Sequence, residues 1–226
     1  MIVTGGTGGL GVPVVERLLA DGWRVVVPWV AERERGRLPE HEALATVQAD
    51  LFDPGAVAEV VGLGAAEAAA PLRAVVNLVG GFSAPGRVHE VPVEDFESQF
   101  RLNLRPAYLL AHAALPHLVA GGGGSLVLVS TRAAVRPFSG AAGYIASKAA
   151  VIAFAEALAA EYRNDNVRAN AILPSVIDTP GNRASQPDAD HSAWVAPADI
   201  AKVIAFLVSD DSAITSGAAV PVYGRA

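Results

Sequence analysis

A tyrosine and a lysine four positions apart, Tyr144 and Lys148 in the run GYIASKAAV, form the pair in this chain best suited to moving a proton. On a helix that spacing sets both side chains on one face. A free phenol titrates near pH ~10, too high for acid or base work at neutral pH. A neighbouring ammonium, and a positively charged ring beside it, favour the phenolate and draw that value down. Tyr-x-x-x-Lys alone is a common coincidence, so its meaning depends on what the chain places around it.

A second chemical motif opens the chain. TGGTGGLG, Thr4–Gly11, follows a short β-branched run and leads into an amphipathic stretch. Glycines there let the backbone turn tightly against a pyrophosphate, and the following helix supplies free N–H groups and a favourable dipole. Gly5, Gly9 and Gly11 occupy the T-G-x-x-x-G-x-G positions, with Thr7 and Leu10 between them as further contacts. The expected ligand is a dinucleotide, NAD(P). Such folds usually carry an acid at the end of the second strand to hold the adenosine ribose. Here Trp29 stands in that place, with Glu32 and Glu34 shortly after and Arg33, Arg35 and Arg37 among them. A missing acid beside arginines that could meet a 2′-phosphate tilts the reading to NADP(H). Asp50, at the end of the third strand, is a candidate for the adenine pocket together with Leu51. Asp53, before PGAV, reads as a helix cap.

These motifs must be positioned by the rest of the chain. Candidate strands are Ile2–Thr4, Arg24–Val27, Ala45–Gln48, Ala74–Leu78, Ser125–Ser130, Val167–Ile172 and Ala219–Val222. Helical patterns fall at Leu10–Ala20, Ala56–Leu63, Val93–Val119, Gly143–Tyr162 and Pro197–Val208. Continuous apolar strands alternating with helices predict an α/β fold, one doubly wound parallel sheet of Rossmann type with helices on both faces. Residues 1–226 read as a single domain, in which 180–196 form a short lid over the substrate. The polar stretch Pro180–Trp194 has the least periodicity and the weakest expected order. The helix KAAVIAFAEALAAEY is apolar nearly all round, which predicts burial on two sides and a homodimer or homotetramer.

Composition narrows the classes. The chain is 52% hydrophobic and 18% charged, which supports a sizeable core. It has no cysteine, so disulfides, thiolate metal sites and cysteine nucleophiles are excluded. Its five histidines form no HExxH pair, and His112 and His117 fall on different sides of a helix. A net charge of −6 without a Lys/Arg cluster argues against a nucleic-acid partner. The start of the chain has no secretory pattern, and charges, Pro or Gly are expected to interrupt every apolar stretch short of a membrane span. A cytoplasmic protein acting on a small molecule, away from the membrane, is expected.

Taken in order along the chain, these residues resemble the short-chain dehydrogenase/reductase family, and the resemblance covers essentially the whole length. It rests on the glycine loop, Asp50, NLVG at Asn77–Gly80, Asn103 in the long helix, SLVLVST, Tyr144 with Lys148, and NAILPSVIDTP. It implies hydride transfer between a nicotinamide and a small carbonyl-type substrate, with Tyr144 as general acid and base and Lys148 holding the ribose. Asn103 is implied to support a water relay, and Pro174, Ile177 and Thr179 to cover the nicotinamide. Asn77 and Gly80 are implied cofactor contacts. The family's active-site serine falls at Thr131 here, with Ser130 beside it, so the active hydroxyl is one or the other. Trp29 in place of an acid and Ser175 in place of a glycine are further departures. The segment LPSVIDTPGNRASQPDADHSAW, with VGGF at Val79–Phe82, is similar to the dihydropteridine reductase branch, which works without the serine. Quinonoid dihydropterin reduction is therefore an alternative, and a non-catalytic NAD(P)-binding sensor is another.

Overall fold

Strand-length runs of Val, Ile, Leu and Ala with almost no polar member can only be satisfied with both faces covered, and here all of them enter one parallel sheet. The computed structural model describes residues 1–225. Its strands are β1 (Ile2–Thr4), β2 (Val25–Trp29), β3 (Leu44–Gln48), β4 (Ala74–Asn77), β5 (Gly124–Val129), β6 (Val167–Pro174) and β7 (Ala219–Val222). The α-helices are α1 (Gly11–Ala20), α2 (Glu32–Arg35), α3 (Pro54–Ala65), α4 (Val93–Asn103), α5 (Arg105–Ala120), α6 (Ala142–Glu161), α7 (Pro180–Ser185) and α8 (Pro197–Val208). The strand order is β3-β2-β1-β4-β5-β6-β7, and every pairing is parallel. This is the expected doubly wound α/β sheet.

The period-2 alternation of the strands divides the core between two faces. Ile2, Val26, Val75 and Leu126 face Val57 and Val60 of α3 and Leu110 and Leu118 of α5. Their neighbours Val3, Val25, Val27, Val76 and Val127 face Val14 and Leu18 of α1 and Ile200 and Ile204 of α8. Val151 and Ala155 of α6 close on Leu128, Ala171 and Leu173. Each such aliphatic side chain contributes roughly 1.5–3 kcal/mol by leaving water. The sheet therefore anchors the loops at the carboxyl ends of its strands. The chain leaves β1 toward β2 on one side, while β4 lies on the other. That switch point is the crevice where open α/β sheets bind ligands.

Four sequence expectations need correction. The helical stretch Val93–Val119 is two helices: Leu104, at φ −108°, caps the end of α4 and the start of α5, and Pro106 sits in the first turn of α5, where its missing N–H does no harm. β2 runs past Val27 to include Pro28 and Trp29, since β3 pairs with both. The segment 180–196 carries α7, capped by Thr179 accepting from the Asn182 N–H, and a short 3₁₀ turn at His191–Ala193. Finally, α6 is 20 residues long and apolar enough to cross a membrane by length and composition. Its Val151, Ala155 and Leu158 cover strands instead.

Candidate active site

The glycine loop forms the floor of the crevice. Gly5 has φ +69°, in the left-handed region that glycine enters without strain. A methyl group at Gly11 would lie 2.1 Å from the Gly5 carbonyl oxygen, so α1 can start this close to β1 only with glycine there. The same construction at Gly9 meets Thr179 at 2.9 Å. The loop and the segment after β6 thus touch across the crevice. Thr7 is buried, and Leu10 packs against the core face made by α1 and α8.

The region after β2 folds back onto this loop. Trp29 ends β2, and Glu34 on α2 places Oε2 3.4 Å from the Thr7 hydroxyl, which donates to it. Arg37 donates to the Thr7 carbonyl, also at 3.4 Å. Arg35 is paired with Glu32, and Arg33 is exposed. The sequence places Glu32 and Glu34 shortly after Trp29 but gives no sign of the contact between Glu34 and Thr7, because the charged run carries no periodic signal. Asp50 is exposed and accepts from the Phe52 N–H in its own turn, while Leu51 is buried. Asp53 caps α3 as expected, accepting from the Gly55 N–H.

On the far side of β1, Asn77 is buried and its Oδ1 accepts from the Thr4 hydroxyl at 2.6 Å, tying the ends of β1 and β4 together. The chain then passes Gly80. A methyl group there would stand 2.7 Å from Lys148 Nζ and 2.8 Å from Asn103 Oδ1. Gly80 is therefore the space into which both side chains reach. Asn103 is buried at the last residue of α4; its Oδ1 accepts from the Gly81 N–H and its Nδ2 donates to the Ser147 hydroxyl. Ser147 in turn donates to the Tyr144 carbonyl. This chain of bonds locks α4 to the first turn of α6.

The proton-handling pair sits on that turn. Lys148 is 4% exposed, and its Nζ donates to the Val129 carbonyl at 2.9 Å. Among the described residues no carboxylate forms an ion pair with it. Burial alone lowers its pKa from 10.5 to about 8. An isolated buried cation of this kind is uncommon in a purely structural role. Burial raises the Tyr144 pKa, and the nearby Thr131 hydroxyl acts in the opposite direction. The lowering expected from Lys148 is not what the geometry produces: burial of the phenol dominates, and Nζ points to the Val129 carbonyl. Phe82 stands edge-on to the Tyr144 ring, with centroids 5.0 Å apart, and fixes the phenol from the outer side.

The two candidate hydroxyls separate cleanly. Thr131 lies near Tyr144, and its Oγ1 accepts from the Ala133 N–H at 3.3 Å. Ser130 is buried and donates to the Lys148 carbonyl at 2.7 Å, so it is spent on holding β5 to α6. Pro174 ends β6 and is buried, and Ile177 bridges to Val195. Thr179, opposite Gly9, completes the roof. The segment after β6 is braced by its own contacts: Arg183 donates to Asp178, which keeps that carboxyl below its usual range, and the His191 and Trp194 rings lie 4.2 Å apart.

A family model described as short chain dehydrogenase matches residues 1–190. The chain is 30% identical to the 2-(R)-hydroxypropyl-CoM dehydrogenase of Xanthobacter autotrophicus, covering 99% of this chain and 96% of that one. It is 31% identical to the 3-oxoacyl-acyl-carrier-protein reductase MabA of Mycobacterium bovis, over 99% and 91% of the two chains. Among solved structures, a short-chain type dehydrogenase/reductase from Mycobacterium ulcerans superposes with a TM-score of 0.92 at 27% identity, covering 99% of this chain and 88% of that one. A 3-ketoacyl-(acyl-carrier-protein) reductase from Brucella melitensis, complexed with NADH, gives 0.87 at 26% identity, with 99% and 96% covered.

Proposed function

The chain belongs to the short-chain dehydrogenase family and is an NAD(P)-dependent oxidoreductase; from that premise we propose that it reduces a small carbonyl-type substrate with Tyr144 as the proton donor. The observation that carries this reading is the buried Lys148 ammonium, which has no carboxylate partner among the described residues and lies one helical turn from a buried phenol. A structural lysine would be paired or exposed.

The residues present fit a nicotinamide dinucleotide. Gly5, Gly9 and Gly11 let the first loop turn tightly and bring the start of α1 close to β1, the arrangement that receives a pyrophosphate. Thr7, Leu10, Asp50, Leu51, Asn77 and Gly80 line the path along the strand ends. Pro174, Ile177 and Thr179 stand opposite the loop. When bound, the nicotinamide supplies or accepts the hydride.

The protein's part is proton transfer and positioning. Burial keeps the Tyr144 phenol protonated at neutral pH, the form needed to donate to an oxygen that gains charge during reduction. Thr131 offers a second hydrogen bond to that oxygen, stabilising charge where it develops. Lys148 holds a cation near the same locus and reaches the space at Gly80 where ribose hydroxyls would be held. Asn103, adjoining that space, is positioned to support a water relay that returns the proton. Residues 1–226 act as one domain, with 180–196 as a short lid.

The names of the relatives support a carbonyl or hydroxyl centre in the substrate. The dihydropteridine alternative rested partly on the loss of the serine, and Thr131 puts a hydroxyl at Tyr144 in its place. The sensor alternative requires loss of the tyrosine or lysine, and both stand in the site. The reading is of a cytoplasmic enzyme with no nucleic-acid or membrane partner. Tyr108 and Phe154, in contact with each other on the outer side of α5 and α6, support a homodimer or homotetramer.

Tyr144→Phe tests the assignment. Turnover with NADH or NADPH over a panel of ketones, 3-oxoacyl thioesters and quinonoid pterins should fall by about 10³-fold. The dissociation constants for both dinucleotides should stay within about threefold of the unmodified protein's, since the ring itself is retained. Full activity in this variant would refute the role of Tyr144.

A further inference from the structure

We propose that the substrate extends beyond Tyr144 into a cavity between α4, the start of α6 and the loop after β4, and that Gln99 reads a hydrogen-bond donor on that extension. This rests on the carbonyl-reductase reading above and names the class of substrate: an uncharged carbonyl compound whose apolar arm carries one O–H or N–H. The cavity measures about 320 Å³, at the small end of the ~300–1,000 Å³ typical of ligand sites. Tyr144 is part of its wall, so whatever fills it borders the proton donor. None of the described residues of 180–196 lines it, so it is separate from the space under that segment.

The walls are largely apolar. Val88, Val91, Val93 and Phe96 line them. Gly86 and Gly140 border the cavity as well, and the Gly86 N–H donates to the Gly140 carbonyl at 3.2 Å. Both have positive φ, +142° and +91°, so this bridge between the loops after β4 and β5 depends on glycine. Among the described residues the one charged side chain on the wall is Asp95, a carboxylate, which disfavours an anionic arm.

One buried amide stands among these apolar groups. Gln99 lies four residues before Asn103, on the same face of α4, and is 9% exposed. It is on the wall of the cavity. It packs where α6 offers a glycine: a methyl group at Gly143 would meet its Cγ at 3.3 Å. Its Nε2 donates to the Ser98 hydroxyl at 3.5 Å, and no described residue donates to its Oε1. A buried acceptor without a donor is costly, and nearly all such groups in folded proteins are paired. An apolar side chain at position 99 would fill the same room without that cost. The cavity is the place from which a donor can reach Oε1. A substrate arm with an O–H or N–H pairs it, and an arm without one leaves it buried and unpaired.

Steady-state kinetics of the full-length protein on a series of methyl ketones, with NADH and NADPH both present, tests this. The arms increase in length, and each is made with a terminal methyl, hydroxyl or methyl ether. In the unmodified protein kcat/KM should rise roughly fourfold per added CH₂ until the cavity is filled. At one length the alcohol should exceed both the hydrocarbon and the ether, which accepts but cannot donate, by at least about tenfold, mainly through KM. Gln99→Leu should bring that ratio to within about twofold of unity, and its melting temperature should hold or rise. Val91→Phe narrows the cavity while keeping the amide, and should raise KM for the longest arms at least about tenfold relative to the shortest. Equal rates for alcohol, ether and hydrocarbon at every length, or an unchanged ratio in Gln99→Leu, would overturn the role of Gln99 while leaving the enzyme assignment standing. A uniform loss across the series in Gln99→Leu would place Gln99 in the packing of α4 on α6 and overturn it equally. An unchanged dependence on arm length in Val91→Phe would overturn the extension into the cavity. Turnover of no ketone in the series would overturn the carbonyl-reductase reading and this proposal together. Should Gln99→Leu not fold, Gln99→Met, closer in shape, supplies the same ratio.

Discussion

Replacing Lys148 with methionine separates what the buried ammonium does for activity from what it does to stability. Holding the amine charged at 4% exposure moves its pKa from 10.5 to about 8. At pH 7 that equals about 3 kcal/mol of lost stability, at roughly 1.4 kcal/mol per tenfold change in proton affinity. Against it stands the bond from Nζ to the Val129 carbonyl, worth about 2 kcal/mol as a charge-assisted hydrogen bond. Methionine fills a similar volume without the charge, so the variant should be more stable at pH 7 by about 1 kcal/mol, or about 3 °C in Tm. The sign changes with pH. The native amine loses its proton near pH 8, while the unfolded one keeps it to 10.5. The unmodified protein therefore gains stability across that window. By pH 9.5 it has recovered about 2 kcal/mol, so the variant should then be the less stable by about 1 kcal/mol. Urea unfolding of both proteins at pH 7 and 9.5 reads the difference, with the other titrating groups cancelling. Turnover should fall at least about 10²-fold at pH 7. A variant less stable than the parent by more than about 2 kcal/mol at pH 7, or a stability difference that does not move with pH, would refute the reasoning.

The neighbouring hydroxyls should respond in opposite ways. Thr131→Val should lower kcat/KM by about 10²-fold with little change in Tm, and Thr131→Ser should keep most of the activity. Ser130→Ala loses the bond to the Lys148 carbonyl, so it should cost about 1 kcal/mol in urea unfolding while kcat falls less than tenfold. Gly80→Ala forces a methyl against Lys148 Nζ and Asn103 Oδ1. Steady-state kinetics should show at least about 10²-fold loss of kcat from misplacement, and thermal melts a loss of about 1–3 kcal/mol from overpacking.

The fold was largely legible because its strands are buried on both faces. Such strands read as unbroken apolar runs, and separated by helices they call for a parallel sheet covered on both faces. The failures came where a local signal competed with a periodic one. The apolar pattern continues across Leu104, so α4 and α5 read as one helix, although Pro106 marks a first turn. Thr179 followed by Pro180 is likewise a cap signal, yet the polar composition of the segment masked the six residues of α7. In β2, Pro28 argues against strand, and only the pairing with Val47 across to β3 overrides it.

The site divides along a different line. Residues related by one helical turn, or held by a glycine loop, are legible because the geometry is local: Tyr144 and Lys148, or Gly5 through Gly11. Residues whose role depends on facing are not. Ser130 and Thr131 are adjacent at an extended strand end, where successive side chains point to opposite sides. Either could have been the partner of Tyr144, and the choice is made by which face of β5 meets α6. The packing turns Ser130 to the backbone of Lys148 and leaves Thr131 for the phenol. Glu34 is the extreme case. Nothing in ERERGR marks one acid above another, and its meaning arises only when α2 folds back across the strand ends to Thr7. The contact with Thr7 therefore sits on an element with little sequence signal and no buried residue, while Lys148 sits buried on α6.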